Sequence, residues 1–382
     1  MILFDSLSNV SGTGYGGAAR NFVLEFLSMG VDVKTRLKPD ERADVQIYFG
    51  QLYDKHLGHR ETSPLRSEKL VLFTMFESPL LPEGWVETCN NMADLVIVPS
   101  GWNKHIFEEA GIEVPIAVVP LGVNPRDFPD LSRLRAERRE KDSDSRFVYW
   151  WQGFQDGYDR KGGNLMEKAY LDLIEKKEIP MDRVWMLKKS VPFTLSGLSQ
   201  KATFQYPTAF YENIIANSPQ HILNQYLSEV SVGFNPTSGE GFGLIPLEQM
   251  SSGLPMFCSY ATGAMEYLPD PEHTKPGEEV FLPIDTIEMR ALVGAPNAGK
   301  FEVGRVERPT YESVRWAIKW AYENQDQLSA IGERAAIYVR ENFTYRHAAE
   351  RLLDVLEAHF GHRERSNDDH RVEEVNSLCG AS

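Results

Sequence analysis

The feature that most constrains this chain is an alternation that occurs twice. Short, continuously apolar runs recur, each followed by a turn-like stretch or one with helical spacing. In the first half the runs are "ILF" (2–4), "DVQIYF" (44–49), "KLVLFTMF" (69–76), "DLVIVPS" (94–100) and "PIAVVPLG" (115–122). A charged stretch, "PDLSRLRAERREKDSDS" (129–145), interrupts them. The pattern then restarts with "RFVYWWQGF" (146–154), "RVWMLKKS" (183–190), "VSVGFNP" (230–236) and "LPMFCSY" (254–260). Strands of a parallel sheet are covered on both faces and read as unbroken apolar runs. The alternation therefore predicts two doubly wound α/β domains, over 1–145 and 146–340, with a ligand cleft between the carboxyl ends of their strands. A helical pattern closes the chain near residue 360, and 362–382 lacks periodicity and reads as a mobile tail.

At 382 residues with 42% hydrophobic and 25% charged content, the chain is long enough for two sizeable cores. Its net charge of −15 works against broad attraction to nucleic acid or anionic membrane, leaving room only for a local basic groove. Cys89, Cys258 and Cys379 are too few and too scattered for a disulfide framework. No apolar run approaches the about 18 residues of a membrane span, and the first residues lack a signal-peptide pattern. These features point to a cytoplasmic protein with no stable membrane insertion.

Chemistry concentrates in "SGEGFGLIPLEQMSSGLP" (238–255). Pro246 suits the first turn of a helix, and Gly253 a left-handed cap with Pro255 beyond it. Glu240 then falls in a loop and Glu248 about one turn into the helix. Gly241 and Gly243 would let a ligand approach the backbone closely. Amides at such a junction favour an anion, beside which a carboxylate needs another partner, such as sugar hydroxyls. The stretch taken alone reads by default as a tight turn capping a helix. Gly12, Gly14, Gly16 and Gly17 alone are likewise an ordinary strand-to-helix turn.

The segment "EGFGLIPLE" (240–248) matches the Glu-x7-Glu motif of retaining glycosyltransferases of the two-Rossmann GT-B architecture, and most resembles glycosyltransferase family 4. Four further segments resemble that family in its own order. They are "GYGGAARNFVLEFLSMGVDV" (14–33), "ADLVIVPSGWNKHIFEEAGIEVPIAVVPLGVNPRDF" (93–128), "DRKGGNLMEKAY" (159–170) and "SSGLPMFCSYATGAMEYL" (251–268). The resemblance spans roughly residues 1–360. It implies that Glu240 contacts hydroxyls of a donor sugar and that Glu248 holds the ribose. The backbone of Gly241, Phe242, Gly243 and Leu244 would approach the sugar and diphosphate. Lys161, with Arg160, would bind the diphosphate, which Gly16 and Gly17 would face from the other domain. A final helix over 341–361 would return to the N-terminal domain. The resemblance also implies a front-face reaction without a protein nucleophile, metal or other cofactor, using UDP, GDP or ADP sugars, UDP foremost.

The chain departs from the family pattern twice. The family usually has Gly-Arg shortly before its Lys-Gly, but here Phe154 follows Gly153. Arg160, Lys188 and Lys189 are the candidates for the missing charge. "MFESP" places Glu77 where many relatives carry histidine. Glu77 could orient or deprotonate an acceptor hydroxyl, cap a helix, or pair with a neighbouring base. "DSD" (142–144) lies in the charged linker and "HLGH" (56–59) has no partner cluster, so neither reads as a metal site. The "RLRAERREK" helix (133–141) reads as a solvated face and is the best local candidate for a polyanion contact. Trp150 and Trp151 read as packing residues. The acceptor reads as a saccharide or another hydroxyl-bearing molecule, a hydroxymethylated DNA base among them. The oligomeric state is not readable. Two rivals follow: a non-catalytic nucleotide-sugar-binding protein, and a phosphorylase or sugar-phosphate synthase.

Overall fold

The computed structural model describes residues 1–6, 14–52, 67–141, 146–155, 159–192, 211–214, 219–295 and 299–361. Gly12, the HLGH and DSD stretches, Cys379 and the 362–382 tail lie outside them.

Six parallel strands form the first sheet: β1 (Ile2–Ser6), β2 (Val33–Lys34), β3 (Ala43–Phe49), β4 (Ser67–Phe73), β5 (Leu95–Val98) and β6 (Ile116–Val118). Their order is β2-β1-β3-β4-β5-β6. Six more form the second: β7 (Phe147–Gln155), β8 (Val184–Pro192), β9 (Tyr211–Ile214), β10 (Val232–Asn235), β11 (Met256–Ser259) and β12 (Leu282–Ile284). Their order is β12-β11-β10-β7-β8-β9. Both are doubly wound, with reversals of strand order between β1 and β3 and between β7 and β10. Ligands of such sheets bind beyond the carboxyl ends of the strands at these switch points. The segment 159–163 follows β7 and 236–243 follows β10, so the topology alone brings Lys161 to Glu240.

The apolar runs explain these strands. Val71, Leu72, Phe73, Val96, Ile97 and Val98 are all buried, as a strand covered on both faces requires. The helices α1 (Gly14–Ser28), α2 (Trp85–Met92) and α3 (Gly101–Glu109) belong to the first domain. Helix α4 (Ser132–Lys141) precedes the second, which holds α5 (Gly163–Glu175), α6 (Gln220–Leu227), α7 (Leu244–Ser251), α8 (Tyr311–Glu323) and α9 (Gln325–Asn342). A two-stranded antiparallel ribbon, β13 (Thr286–Ala295) with β14 (Gly299–Pro309), was not foreseen.

Helix α10 (Tyr345–Phe360) packs on the first domain, with the Tyr345 ring 5.6 Å from that of Phe22 on α1. The chain crosses between domains at two adjoining strands of backbone, where Val123 N–H donates to Phe343 (2.8 Å) and Tyr345 N–H to Val123 (3.1 Å). A Cβ on Gly122 would lie 2.3 Å from the Thr344 backbone, so only glycine admits this crossing. Among the described residues no helix is long and apolar enough to cross a membrane.

Helix α4 has the solvated face expected over 133–141, with Arg133, Leu134, Glu140 and Lys141 exposed, but one of its basic side chains turns inward. Arg135 is buried and donates to the carbonyls of Leu227 (3.0 Å) and Ser252 (2.7 Å), at the carboxyl ends of α6 and α7. Cations stabilise helix carboxyl ends, which explains why this arginine faces inward. Arg138 turns to the Ser228 hydroxyl at 2.6 Å. Of the basic side chains in this stretch, Arg133 is fully open to solvent, at 93% side-chain exposure.

Candidate functional site

Lys161 sits in a turn fixed from three sides. Asp159 adopts φ 54° and accepts from the amides of Asn164 and Leu165 (both 2.8 Å), which ties the turn to the start of α5. The Trp151 indole donates to the Lys161 carbonyl at 2.9 Å. Gly162, at φ +68°, lies so close to Pro236 that a Cβ would stand 2.1 Å from its carbonyl oxygen. The turn is thus locked to the segment that leads into Glu240, and Trp151 acts as a packing residue that also positions Lys161.

The ammonium of Lys161 is ion-paired with the Glu240 carboxylate, and both residues are buried, at 9% and 5% exposure. Burial lowers the Lys161 pKa, and Glu240 opposes that shift. A pair so placed is stable only while both charges are present, because either one alone would be stranded in low dielectric. The Glu240 amide donates to the Thr262 hydroxyl (2.9 Å) and its carbonyl accepts from Gly263 (2.9 Å), so the loop is held from the far side.

The glycines also let protein segments pack closely against this loop. Gly241 admits the other domain: a Cβ there would lie 2.7 Å from the Met75 side chain. At Gly239 a Cβ would lie 2.3 Å from the Glu77 carbonyl. Gly243 takes φ +94° as the N-cap of α7, and its carbonyl accepts from the Tyr267 hydroxyl at 2.8 Å. The Phe242 side chain is buried against Tyr267. No side chain caps α7. Leu244, its first residue, faces α1 across the cleft, 3.7 Å from where a Cβ on Gly14 would stand. Gly16 and Gly17, expected in a loop, lie in the first turn of α1, because the helix begins at Gly14.

Glu248 is half-buried one turn into α7. Burial pushes its carboxyl up to about 8, against the pull of Lys189, while Asp127 adds to the rise. Lys188 requires a correction. It is fully buried and donates to Glu167 on α5 at 2.8 Å, its ammonium 5.3 Å from the Trp151 ring centroid. Successive strand residues face opposite sides of a sheet, so Lys189 and not Lys188 belongs to the Glu248 side. The charge the sequence offered to Lys188 thus sits beneath the sheet. The register pairs Lys189 with Gln152, whose Oε1 accepts from Gln249 on α7 (3.3 Å).

Glu77 approaches from the first domain and forms an ion pair with Arg160 at 3.8 Å. Arg160 also donates to the Gly239 carbonyl at 2.7 Å. Sequence reasoning missed Ser100, Asn103 and Glu266. Asn103 Nδ2 donates to the Gly241 carbonyl (2.7 Å), Ser100 donates to the same oxygen (3.2 Å), and Gly101 N–H donates to Glu266 (2.8 Å). The "PS" before a helical run signalled an N-cap, but nothing local told that its partner lay about 140 residues away. Among the described residues, no group of three or more His, Cys, Asp or Glu side chains could hold a metal ion.

The fold is similar to that of many solved structures, of which three illustrate the likeness. Anabaena HepE, solved with UDP and glucose, is similar with a TM-score of 0.62 at 14% identity, over 94% of this chain and 100% of that one. A glycosyltransferase from Rickettsia africae gives 0.59 at 12% identity, over 95% and 99%. A UDP-forming α,α-trehalose-phosphate synthase from Burkholderia vietnamiensis gives 0.56 at 14% identity, over 90% and 76%. These likenesses establish the fold: two Rossmann-like domains in the GT-B arrangement. No protein-family model matches the chain, and no curated protein matches it by sequence.

Proposed function

We propose that this protein is a retaining glycosyltransferase of the family 4 type, moving a sugar from a nucleotide-sugar donor to an acceptor hydroxyl. The observation that carries the reading is the Lys161–Glu240 pair, buried at the switch point of the second sheet with Glu248 one helical turn beyond. A buried ion pair contributes little net stability, so its placement in a cleft calls for a ligand that uses both charges. A sugar diphosphate does so. Lys161 and Arg160 would neutralise the departing diphosphate, and Glu240 would accept from sugar hydroxyls. Glu248, ionised, would accept from the two ribose hydroxyls, with Lys189 beside it.

Two positive side chains and the uncapped start of α7 supply the charge that the leaving group needs, which supports a metal-independent reaction. The leaving phosphate would take the acceptor proton on the face from which it departs, so no protein nucleophile is required. UDP sugars are the first choice of donor, since HepE was solved with UDP and glucose and the trehalose-phosphate synthase is UDP-forming. A saccharide is the acceptor of choice, because the net charge of −15 works against DNA and Arg135 of the basic helix is buried on helix carboxyl ends. We place the protein in the cytoplasm.

The test is nucleotide release from a panel of UDP, GDP and ADP sugars, with Glu240→Gln and Glu248→Gln as controls. One donor turned over, and loss of that turnover in both variants, is the expected result. Donors that bind without turnover in the presence of mixed saccharide acceptors would convert the protein into a nucleotide-sugar-binding protein. Turnover that requires inorganic phosphate or a sugar phosphate would make it a phosphorylase or a synthase.

A further inference from the structure

Asn103 is a fully buried amide side chain at the domain boundary whose every polar group is used, and its partners belong to both sides of the site. Its Oδ1 accepts at 2.8 Å from the N–H of Phe76, the residue before Glu77. Its Nδ2 donates at 2.7 Å to the carbonyl of Gly241, the residue after Glu240, and to the Ser100 hydroxyl at 3.0 Å. The amide cannot be turned over, because a flip would set donor against donor at Phe76 and acceptor against acceptor at Gly241. Its own backbone is pinned as well, since the Asn103 amide donates to the N-cap hydroxyl of Ser100 at 3.1 Å.

Close approach makes this amide a ruler. Gly239 and Gly241 have no side chain to hold the first domain off, and the Glu77 carbonyl and Met75 side chain fill the space a Cβ would need. With van der Waals contact on either side and Asn103 between, the Glu77 segment and the Glu240 loop have one relative position. That position sets the Glu77–Arg160 pair at 3.8 Å and leaves Arg160 on the Gly239 carbonyl beside Lys161.

We infer that Asn103 is a positioning residue that couples the Glu77 segment of the first domain to the Glu240 loop of the second. The inference rests, for its effect on turnover, on the glycosyltransferase reading of the site. It adds to that reading a neutral residue whose bonds fix the geometry in which the charged ones act. Buried, fully satisfied amides specify one arrangement because every alternative strands a polar group.

Two substitutions separate its two bonds. Asn103→Asp keeps an acceptor for Phe76 N–H but sets a carboxylate oxygen against the Gly241 carbonyl. Asn103→Leu keeps the volume and removes both bonds. Hydrogen–deuterium exchange on the full chain reads each side independently of any reaction. In Asn103→Asp, peptides covering 238–244 should exchange about tenfold faster or more while the Phe76 amide keeps its protection. In Asn103→Leu both should lose protection, and strand β7 should stay as in the wild type in each variant. Kinetically, kcat should fall about tenfold to a hundredfold with donor KM within about twofold, as expected when geometry is lost and binding groups are kept.

Ser100→Ala, which keeps both Asn103 bonds to Phe76 and Gly241 but removes the 3.2 Å bond to Gly241 and the two bonds the hydroxyl accepts from Asn103, serves as the milder variant should Asn103→Leu fail to fold, with a partial rise in 238–244 exchange expected. Wild-type exchange in 238–244 for Asn103→Asp, or wild-type kcat in that variant, would overturn the inference. A wild-type protein that turns over no nucleotide sugar would defeat the glycosyltransferase reading instead, and the exchange pattern would still decide the coupling.

Discussion

The two sheets share an architecture and differ in what they bury. Among the described residues, the buried charged side chains are Arg135, Lys161, Lys188 and Glu240, all from α4 onward. The first domain buries Gln46, Ser67, Thr74, Ser78, Ser100 and Asn103, none of them charged. Burying a charge costs several kcal/mol unless it is paired, so a domain that does it repeatedly must pair each one. It does: Lys161 meets Glu240, Lys188 meets Glu167, and Arg135 meets two helix carboxyl ends. The difference assigns the electrostatics of the site to the second domain and its alignment to the first.

The strongest way to break that contrast is to remove one member of the Lys161–Glu240 pair. Lys161→Met strands a carboxylate and Glu240→Gln strands an ammonium, and each should lower the free energy of unfolding by about 3–5 kcal/mol. The double variant strands neither, so it should recover a large part of the loss, as read by urea denaturation of all four proteins. Strictly additive losses would mean that the two charges are solvated separately, and the buried-pair argument would collapse.

A second contrast is internal to the second domain and is read by pH. The Glu248 carboxyl, normally near 4.5, is pushed up to about 8 by burial. The folded protein therefore holds this proton between about 4.5 and 8, where the unfolded chain has released it. The stability from that proton is full below the lower value and is lost as pH rises through the upper one. Two ribose hydroxyls, both donors, call for the ionised form. Nucleotide affinity should thus rise with pH up to about 8, with a proton released on binding below it. Glu248→Gln should flatten that rise and remove the accompanying loss of stability, which isothermal titration in buffers of different ionisation heat would measure. A wild-type affinity that is flat between pH 6 and 9 would exclude the ribose role.

What the sequence disclosed follows the range of the forces involved. Strands buried on both faces are written locally, and the runs from "ILF" to "LPMFCSY" mark their strands to within a few residues. The short edge strands β9 and β12 and the β13–β14 ribbon escaped, because four or three residues carry no period and the ribbon's polar alternation resembles a loop. At the site, Glu240, Glu248 and Lys161 were legible through turn chemistry and the five resembling segments, and the topology brings their elements to one cleft. Lys188 and Lys189 were not separable, since adjacent residues differ only in which face of β8 they occupy, and that depends on register. The contact of Gly241 with the other domain was hidden for a related reason. A glycine announces that something comes close, and only the tertiary structure reveals that the visitor is Met75.

The smallest expected effect lies at the boundary between the two domains, where Glu77 of the first domain pairs with Arg160 of the second. Its pair with Arg160 is long, 3.8 Å, and about 30% exposed on each side (29% and 31%). Pairs of this kind are worth about 0.2–1 kcal/mol. Arg160 does not depend on it for placement, because it also donates to the Gly239 carbonyl at 2.7 Å. Glu77→Gln should therefore leave Arg160 in position, strip a negative charge from its surroundings, and tighten nucleoside-diphosphate binding by about two- to fivefold. The gain should shrink as salt rises from 50 to 500 mM, since the pair is open to screening. If Glu77 instead orients or deprotonates an acceptor hydroxyl, the same substitution would leave diphosphate affinity alone and lower kcat by about a hundredfold or more. One variant, assayed for both affinity and turnover, thus decides whether the first domain contributes charge to the reaction or only the frame in which the second domain applies it.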